Sequence, residues 1–278
     1  MGEFSLRRTA LAVLAVVLAA GVAYGVSAAV KALRPKPNRR REVLEDCRNV
    51  DKQPGPVYTF GHDNVTYYCW RIEIEKGRMP PSGTAVVHLD AHDDIFGQSV
   101  DSPLSLPKPR NERERLAYEV AGGTDIGNWL LRASNEGIVG EIYWVVPRWE
   151  RADFRGLHHT RKLLRRIERG KETEGPRLKR LTLEQLSQTP VPKNAALHVD
   201  LDWFSCLLRT DMTSHVASAE EIAADAEALG TVLEKIGLKP VNITIANSPA
   251  YVPRDQWQMI QDELLASLRR HGIIEGRG

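Results

Sequence analysis

The sequence predicts an α/β protein: a three-layer domain with a mostly parallel central sheet flanked by helices, preceded by an N-terminal transmembrane helix. Three observations predict it. From residue 56 onward, apolar runs of strand length alternate with segments of helical period, and such alternation yields parallel strands joined by covering helices. Two of the strand-like runs end in clustered aspartate and histidine, at the edge where open α/β sheets hold ligands. Residues 10–30 contain no charged side chain.

That uncharged block, ALAVLAVVLAAGVAYGVSAAV, is of membrane length, since a helix needs about 20 apolar residues to cross a bilayer. It reads as a retained single-pass anchor (residues 1–30). The alternative is a signal peptide cut after Ser27-Ala28-Ala29, which would leave a secreted or periplasmic protein. Arg7-Arg8 matches a twin-arginine signal only in part. Lys31, Arg34, Lys36, Arg39, Arg40 and Arg41 after the span favour a cytoplasmic C-terminal side, whereas a signal peptide would send the domain the other way. Residues 31–55 read as a basic linker with Pro35 and Pro37, either a solvated stalk or a segment touching lipid head groups.

The domain is placed at 56–278. PVYTFG is a short strand ending at Gly61-His62. Val65, Tyr68, Cys69 and Ile72 then fall at i, i+3, i+4 and i+7, a helical face that stops near Gly77. TAVVHL is a buried strand. After a proline-rich loop, ERERLAYEVA and DIGNWLLRASNEG look helical, and EIYWVV is a strand closed by Pro147. Residues 148–180 hold twelve basic against five acidic residues with little apolar pattern. They read as a solvated basic helix or a surface for an acidic partner, and no nucleic-acid motif accompanies them. AALHVDLDWFSC supplies the next strand. Ser218 and Glu221 form a capping box that opens a helix with Ile222, Ala226, Leu229, Leu233 and Ile236 on one face. VNITIA is a strand, and a last helix from Pro253 carries Trp257, Ile260, Leu264 and Leu268.

Charge and cysteine narrow the classes. The net charge of +2 divides into a basic N-terminus and a remainder, after residue 41, of 30 basic against 35 acidic residues. Cys47, Cys69 and Cys206 contain no C-x-x-C pair, which excludes a cysteine zinc ribbon and a disulfide framework. Cys206 follows the second acidic motif, where a packed thiol and a nucleophile are the alternatives.

The chemistry lies in HLDAHDD and HVDLDW. Asp90, His92, Asp93 and Asp94 crowd the end of one strand. Asp200 and Asp202, two apart on a predicted strand, share a face while Leu197, Val199 and Leu201 fill the other. An uncompensated buried carboxylate costs several kcal/mol, so such a set requires a cation or a shared proton. Solvated acidic loop ends are the plainer alternative. His88 and His198, one pleat deeper with the same parity, read as packing or supporting histidines. Asp93 should face away. Asp125 and Asn128 could line the pocket or simply accept backbone hydrogen bonds at a helix start.

With GHDN, HLDAHDD, DIGNWL, EIYWVVP, HVDLDWFSC and ITIANSPAYVP in this order over residues 56–268, the chain resembles the arginase and deacetylase superfamily, most closely a branch that includes bacterial peptide arginases. The resemblance implies an arginase-like fold and a two-ion centre. One ion would be held by His62, Asp90, Asp94 and Asp200, the other by Asp90, His92, Asp200 and Asp202, with Asp94 and Asp202 as the catalytic carboxylates. The oxygen-rich donor set favours Mn²⁺, with Zn²⁺ or Fe²⁺ as alternatives. The implied reaction is hydrolysis of a C–N bond in a guanidino or amide-bearing substrate by a hydroxide bridging the two ions. Where arginases carry a guanidinium-binding glutamate, this chain has Asn247-Ser248-Pro249, and no proton-shuttle histidine follows the first motif. The expected partners are therefore a cationic or peptide substrate, with an arginine side chain the leading case and free arginine disfavoured. A membrane through the N-terminal segment and a homo-oligomer are the other expected partners, and no nucleic acid. The competing classes are a metal-dependent deacetylase or phosphoesterase, and a non-enzymatic membrane-tethered metal-binding module.

Overall fold

Strand order explains where the acidic motifs meet. The computed structural model describes residues 37–95, 108–124, 127–149, 177–207 and 214–275. The chain divides into two compact units, 1–40 and 41–278, and the second is the subject below. The predicted membrane span at 10–30 lies outside the described residues. Among the described residues no helix is long and apolar enough to cross a membrane.

The sheet comprises β1 (Val57–Phe60), β2 (Thr84–Leu89), β3 (Val139–Val145), β4 (Arg177–Leu181), β5 (Ala196–Asp200) and β6 (Ile243–Ala246), in the order β1-β6-β5-β2-β3-β4. Every neighbouring pair is parallel. Parallel strands bury both faces, which is why TAVVHL is buried along its whole length. Even-numbered residues such as Val86, Ile142, Ala196 and Ala246 face one core layer, which is shared with α1 (Pro37–Val50), α2 (Val65–Glu75), α3 (Glu112–Gly123) and α4 (Trp129–Asn135). Odd-numbered residues such as Val87, Tyr143, Leu197 and Ile245 face the other layer, under α5 (Leu183–Leu186), α6 (Ala219–Lys235) and α7 (Trp257–Arg270). The chain leaves β2 for helices on the first face and leaves β5 for helices on the second. Those neighbouring strands therefore part at their C-terminal ends, which makes a crevice there.

The helices follow the expected periodicity. In α6, Ser218 accepts from the Glu221 backbone and Glu221 reaches back, the predicted capping box, and Ile222, Ala226, Leu229 and Leu233 are buried. Three elements differ from the sequence reading. First, Asp202 is not on a strand: β5 stops at Asp200, and Leu201–Trp203 form a 3₁₀ turn in which the Asp200 side chain accepts from the Asp202 N–H. Second, the end of the basic stretch is the edge strand β4, not a helix. Its RLKRL sequence alternates, and Lys179 pairs with Glu141 of β3 at 2.7 Å. Lysine and arginine on an edge strand discourage pairing with another chain, which explains why so polar a segment is a strand. Third, the stretch read as linker contains α1, whose Val43, Cys47 and Val50 are buried in the first core layer.

A chain beginning at Pro56 should therefore be much less stable than one beginning at Arg41. Burying an aliphatic side chain stabilises by roughly 1.5–3 kcal/mol, so losing the α1 contacts should lower Tm by on the order of 10 °C. Thermal melts of the two chains by circular dichroism check it, and equal melting temperatures would show that α1 contributes nothing to the core.

Candidate metal centre

The crevice between β2 and β5 collects five buried carboxylates: Asp63, Asp90, Asp94, Asp200 and Asp202. Backbone geometry aims them inward. Asp90 follows β2 directly, and one of its oxygens accepts from the His92 N–H at 2.6 Å. Asp202 Oδ1 accepts from the Ala91 N–H at 3.1 Å, which ties the 3₁₀ turn after β5 to the loop after β2. Asp202 Oδ2 lies 2.7 Å from His92 Nδ1. The Ser248 hydroxyl, in the loop after β6, donates to Asp200 at 2.6 Å and lies 3.4 Å from both Asp63 oxygens. Trp129 of α4 donates its indole N–H to Asp94. Among the described residues, Asp94 and Ser248 are the two non-glycine positions with left-handed φ, at 51° and 49°. Strain of that kind persists where surrounding contacts over-determine it, and both positions lie in this crevice.

Electrostatics distinguish the crevice from an ordinary buried ion pair. Glu73, equally buried, is neutralised by Arg78 at 2.5 and 2.7 Å and accepts from the Tyr58 hydroxyl. The five aspartates have no such match: among the described residues no lysine or arginine is paired with them, and the basic groups beside them are His92, 2.7 Å from Asp202, and His88, 3.5 Å from Asp90. Burial, and then the neighbouring carboxylates, push Asp63, Asp90, Asp94 and Asp200 well above the usual carboxylate range. The Ser248 hydroxyl stands between Asp63 and Asp200 and holds the two carboxyls side by side. Burial disfavours a charged His92, but Asp202 and the other carboxylates outweigh it and raise the imidazole to about 9. Asp90 Oδ2 is buried with no hydrogen-bond partner. An orphaned anionic oxygen within an unneutralised acidic cluster is the environment that a divalent cation satisfies.

Asp90, Asp200 and Asp202 each bring a ligand atom within 4.8 Å of the others, and so do His92, Asp202 and Cys206. The residues therefore fit a divalent cation held by Asp90, Asp200 and Asp202, with His92 beside it. Cys206, read from sequence chiefly as packing, stands near enough to add a thiol. Asp94 and His62 fall outside these groupings. Asp94 is held by Trp129, and His62 turns towards α1, where Asp46 Oδ2 lies 2.9 Å from Nδ1 and Glu42 Oε2 lies 3.5 Å from Nε2. A carboxylate on the second ring nitrogen is the usual support of a metal-binding imidazole. Asp46 also accepts from the Gly61 N–H, and a Cβ at residue 61 would meet its oxygen at 2.8 Å, so glycine is needed there.

Sequence reasoning passed over Asp63, Asp46, Ser248 and Trp129. GHDN drew attention to its histidine, but the adjacent Asp63 is the residue that joins the carboxylates; Ser248 lay within the noted Asn247-Ser248-Pro249. His88 and His198 are fully buried as expected, and Asp93 is only partly buried. Asn128 is buried just ahead of α4, and Asp125 lies outside the described residues.

No protein-family model matches the chain, and no curated protein matches it. Among solved structures, proclavaminate amidino hydrolase from Streptomyces clavuligerus is similar at 17% identity and TM-score 0.45, over 82% of this chain and 68% of that one. A putative agmatinase from Clostridium difficile is similar at 15% identity and TM-score 0.48, over 84% and 72%. Arginase from Bacillus caldovelox is similar at 13% identity and TM-score 0.43, over 86% and 75%. These are ureohydrolase-superfamily proteins. Likeness of this size carries no argument about the reaction of this chain, which rests on the crevice itself.

The carboxylates dictate the pH dependence of the metal-free protein. Acids whose folded pKa is raised hold protons that the unfolded chain releases, so their contribution falls as pH rises above the ordinary carboxylate range. His92, raised to about 9, acts in the same direction: its contribution is complete below its unfolded value and is lost as pH climbs through about 9. Metal-free protein should thus melt at a higher temperature near pH 6 than near pH 8.5, and divalent cation should abolish or reverse that order. Calorimetry with and without Mn²⁺ checks it; a metal-free protein that gains stability as pH rises would contradict the assignment of buried charge.

Proposed function

We propose that this chain is a divalent-metal-dependent hydrolase of the ureohydrolase type, acting on a C–N bond of a guanidino group. The observation that supports it most strongly is the set of five buried carboxylates at the β2–β5 crevice, which among the described residues meets no lysine or arginine and only the imidazoles of His92 and His88 at Asp90 and Asp202. Asp90, Asp200 and Asp202 would hold the cations, two Mn²⁺ in the preferred reading, with His92, Asp94 and His62 completing the set. Divalent ions bound there supply a nucleophile at neutral pH and stabilise negative charge in the transition state.

The remaining work falls to the chain. Asp94, with one oxygen fixed by the Trp129 indole N–H, would take a proton from the attacking water and return it to the leaving amine nitrogen. Ser248 fixes Asp200, so the cation-facing oxygens do not wander. His92 packs its ring against Tyr251 at 4.7 Å, and an aromatic wall of this kind suits a planar guanidinium. With Asn247-Ser248-Pro249 after β6, no glutamate is available in that stretch to grip a free amino acid. The preferred substrate is therefore a guanidinium carried on a larger molecule, with a peptide arginine side chain the leading case and ornithine side chain plus urea as products. The apolar segment at 10–30 would tether the domain to a membrane.

Urea, ammonia, acetate and phosphate release from arginyl peptides, agmatine, acetylated amines and phosphoesters, under Mn²⁺, tests this reading. Urea should appear, and Asp200→Asn should reduce it by at least about 10³-fold while removing the bound ions, because the change deletes a charge facing the cations. Phosphate release without urea, ammonia or acetate would transfer the chain to the phosphoesterases. Full-length protein should remain with membranes after a carbonate wash; an intact N-terminus in the soluble fraction would remove the tether.

A further inference from the structure

One pleat deeper than the carboxylates, His88 and His198 stand directly opposite each other in the β2–β5 register. Their rings stack at 5.2 Å between centroids with 21° between planes, and Trp129 packs edge-on against both. Both are fully buried. His198 is held at Nδ1 by the hydroxyls of Thr66 and Thr244, at 3.1 and 3.0 Å, while its Nε2 has no partner. Neither nitrogen of His88 has one, and Nε2 lies 3.5 Å from the orphaned Asp90 Oδ2.

Packing alone leaves four polar atoms without hydrogen bonds in one apolar place, and each such atom costs on the order of 1–3 kcal/mol. The four converge. His88, Asp90 and His198 each offer a ligand atom, and the three atoms lie within 4.8 Å of one another. Two imidazoles and a carboxylate are the donor set of a zinc-type site, and the threonine hydroxyls on Nδ1 of His198 fix that ring with Nε2 free to ligate.

We propose that His88, His198 and Asp90 form a nitrogen-rich site for a further divalent cation of the zinc class, buried behind the carboxylate crevice and sharing Asp90 with it. It shares Asp90 with the crevice, but its two imidazoles belong to it alone, and it does not depend on the hydrolase reading. A cation there satisfies one nitrogen of each imidazole and the bare oxygen of Asp90 together. It also fixes Asp90 from behind, as Ser248 fixes Asp200.

The test uses the full chain, stripped of metal and loaded with Zn²⁺ alone. Anomalous diffraction at the zinc edge should show a peak about 2.1 Å from a nitrogen of both His88 and His198. His198→Gln should lose about one zinc per chain and keep the ions at the carboxylates; Asp200→Asn should keep the zinc at the histidines. If His198→Gln fails to fold, diffraction from the unaltered chain decides. A water, or nothing, between the two rings while the carboxylates hold zinc overturns this site and leaves the hydrolase reading intact. Zinc between the rings with the carboxylates empty upholds the site and removes the hydrolase reading. Zinc at neither place removes both.

Discussion

Five carboxylates enclosed at one strand crossing are the constraint on which the rest of this structure depends. Each ion taken out of water costs several kcal/mol unless opposite charge meets it, and the described residues bring the cluster no lysine or arginine, only the imidazoles of His92 and His88. The fold supplies rigidity instead of neutralisation. β2 and β5 lie side by side at the centre of a parallel sheet, buried on both faces, so Asp90 and Asp200 cannot swing away from each other. The Ala91 and His92 N–H groups, the Ser248 hydroxyl and the Trp129 indole then orient the oxygens without cancelling their charge. Such a site is expensive to fold empty and is relieved by cations.

The same crevice organises its surroundings. Helices leave β2 and β5 towards opposite faces, which opens the pocket, and both left-handed non-glycine residues among those described, Asp94 and Ser248, lie at it. α1 contributes from outside the sheet by placing Asp46 on the imidazole of His62, beside Gly61 where no side chain fits. Behind the carboxylates, the stacked pair His88 and His198 continues the polar seam into the core. The seam therefore runs from the mouth of the crevice through Asp90 to the threonine hydroxyls on either side of His198.

Much of this was legible in the sequence, for physical reasons that also mark where legibility ends. TAVVHL and ALHV are fully buried runs, and the polar residues that end them break an otherwise apolar pattern, so Asp90, His92, Asp94, Asp200 and Asp202 could be picked out one by one. The Ser218–Glu221 capping box is a local signal and formed as read. Asp63 could not be seen, because it lies in a tight loop after β1 where no period says which of two neighbours points inward. Asp46 sits on a helix that reads as a basic tail until its partner, fifteen residues on, is known in space. Asp202 comes beside Asp90 and Asp200 by way of a 3₁₀ turn and not by strand alternation, which no period in the sequence announces. The edge strand β4 carries arginine and lysine, and only its pairing with β3 reveals it.

The most direct measurement is the proton count on cation binding, obtained by titrating Mn²⁺ into metal-free protein near neutral pH in buffers of different ionisation enthalpy. If the crevice holds mutually repelling carboxylates that share protons when empty, binding should release about one proton or more per chain. Binding without proton release, or no binding at millimolar Mn²⁺, would contradict the account.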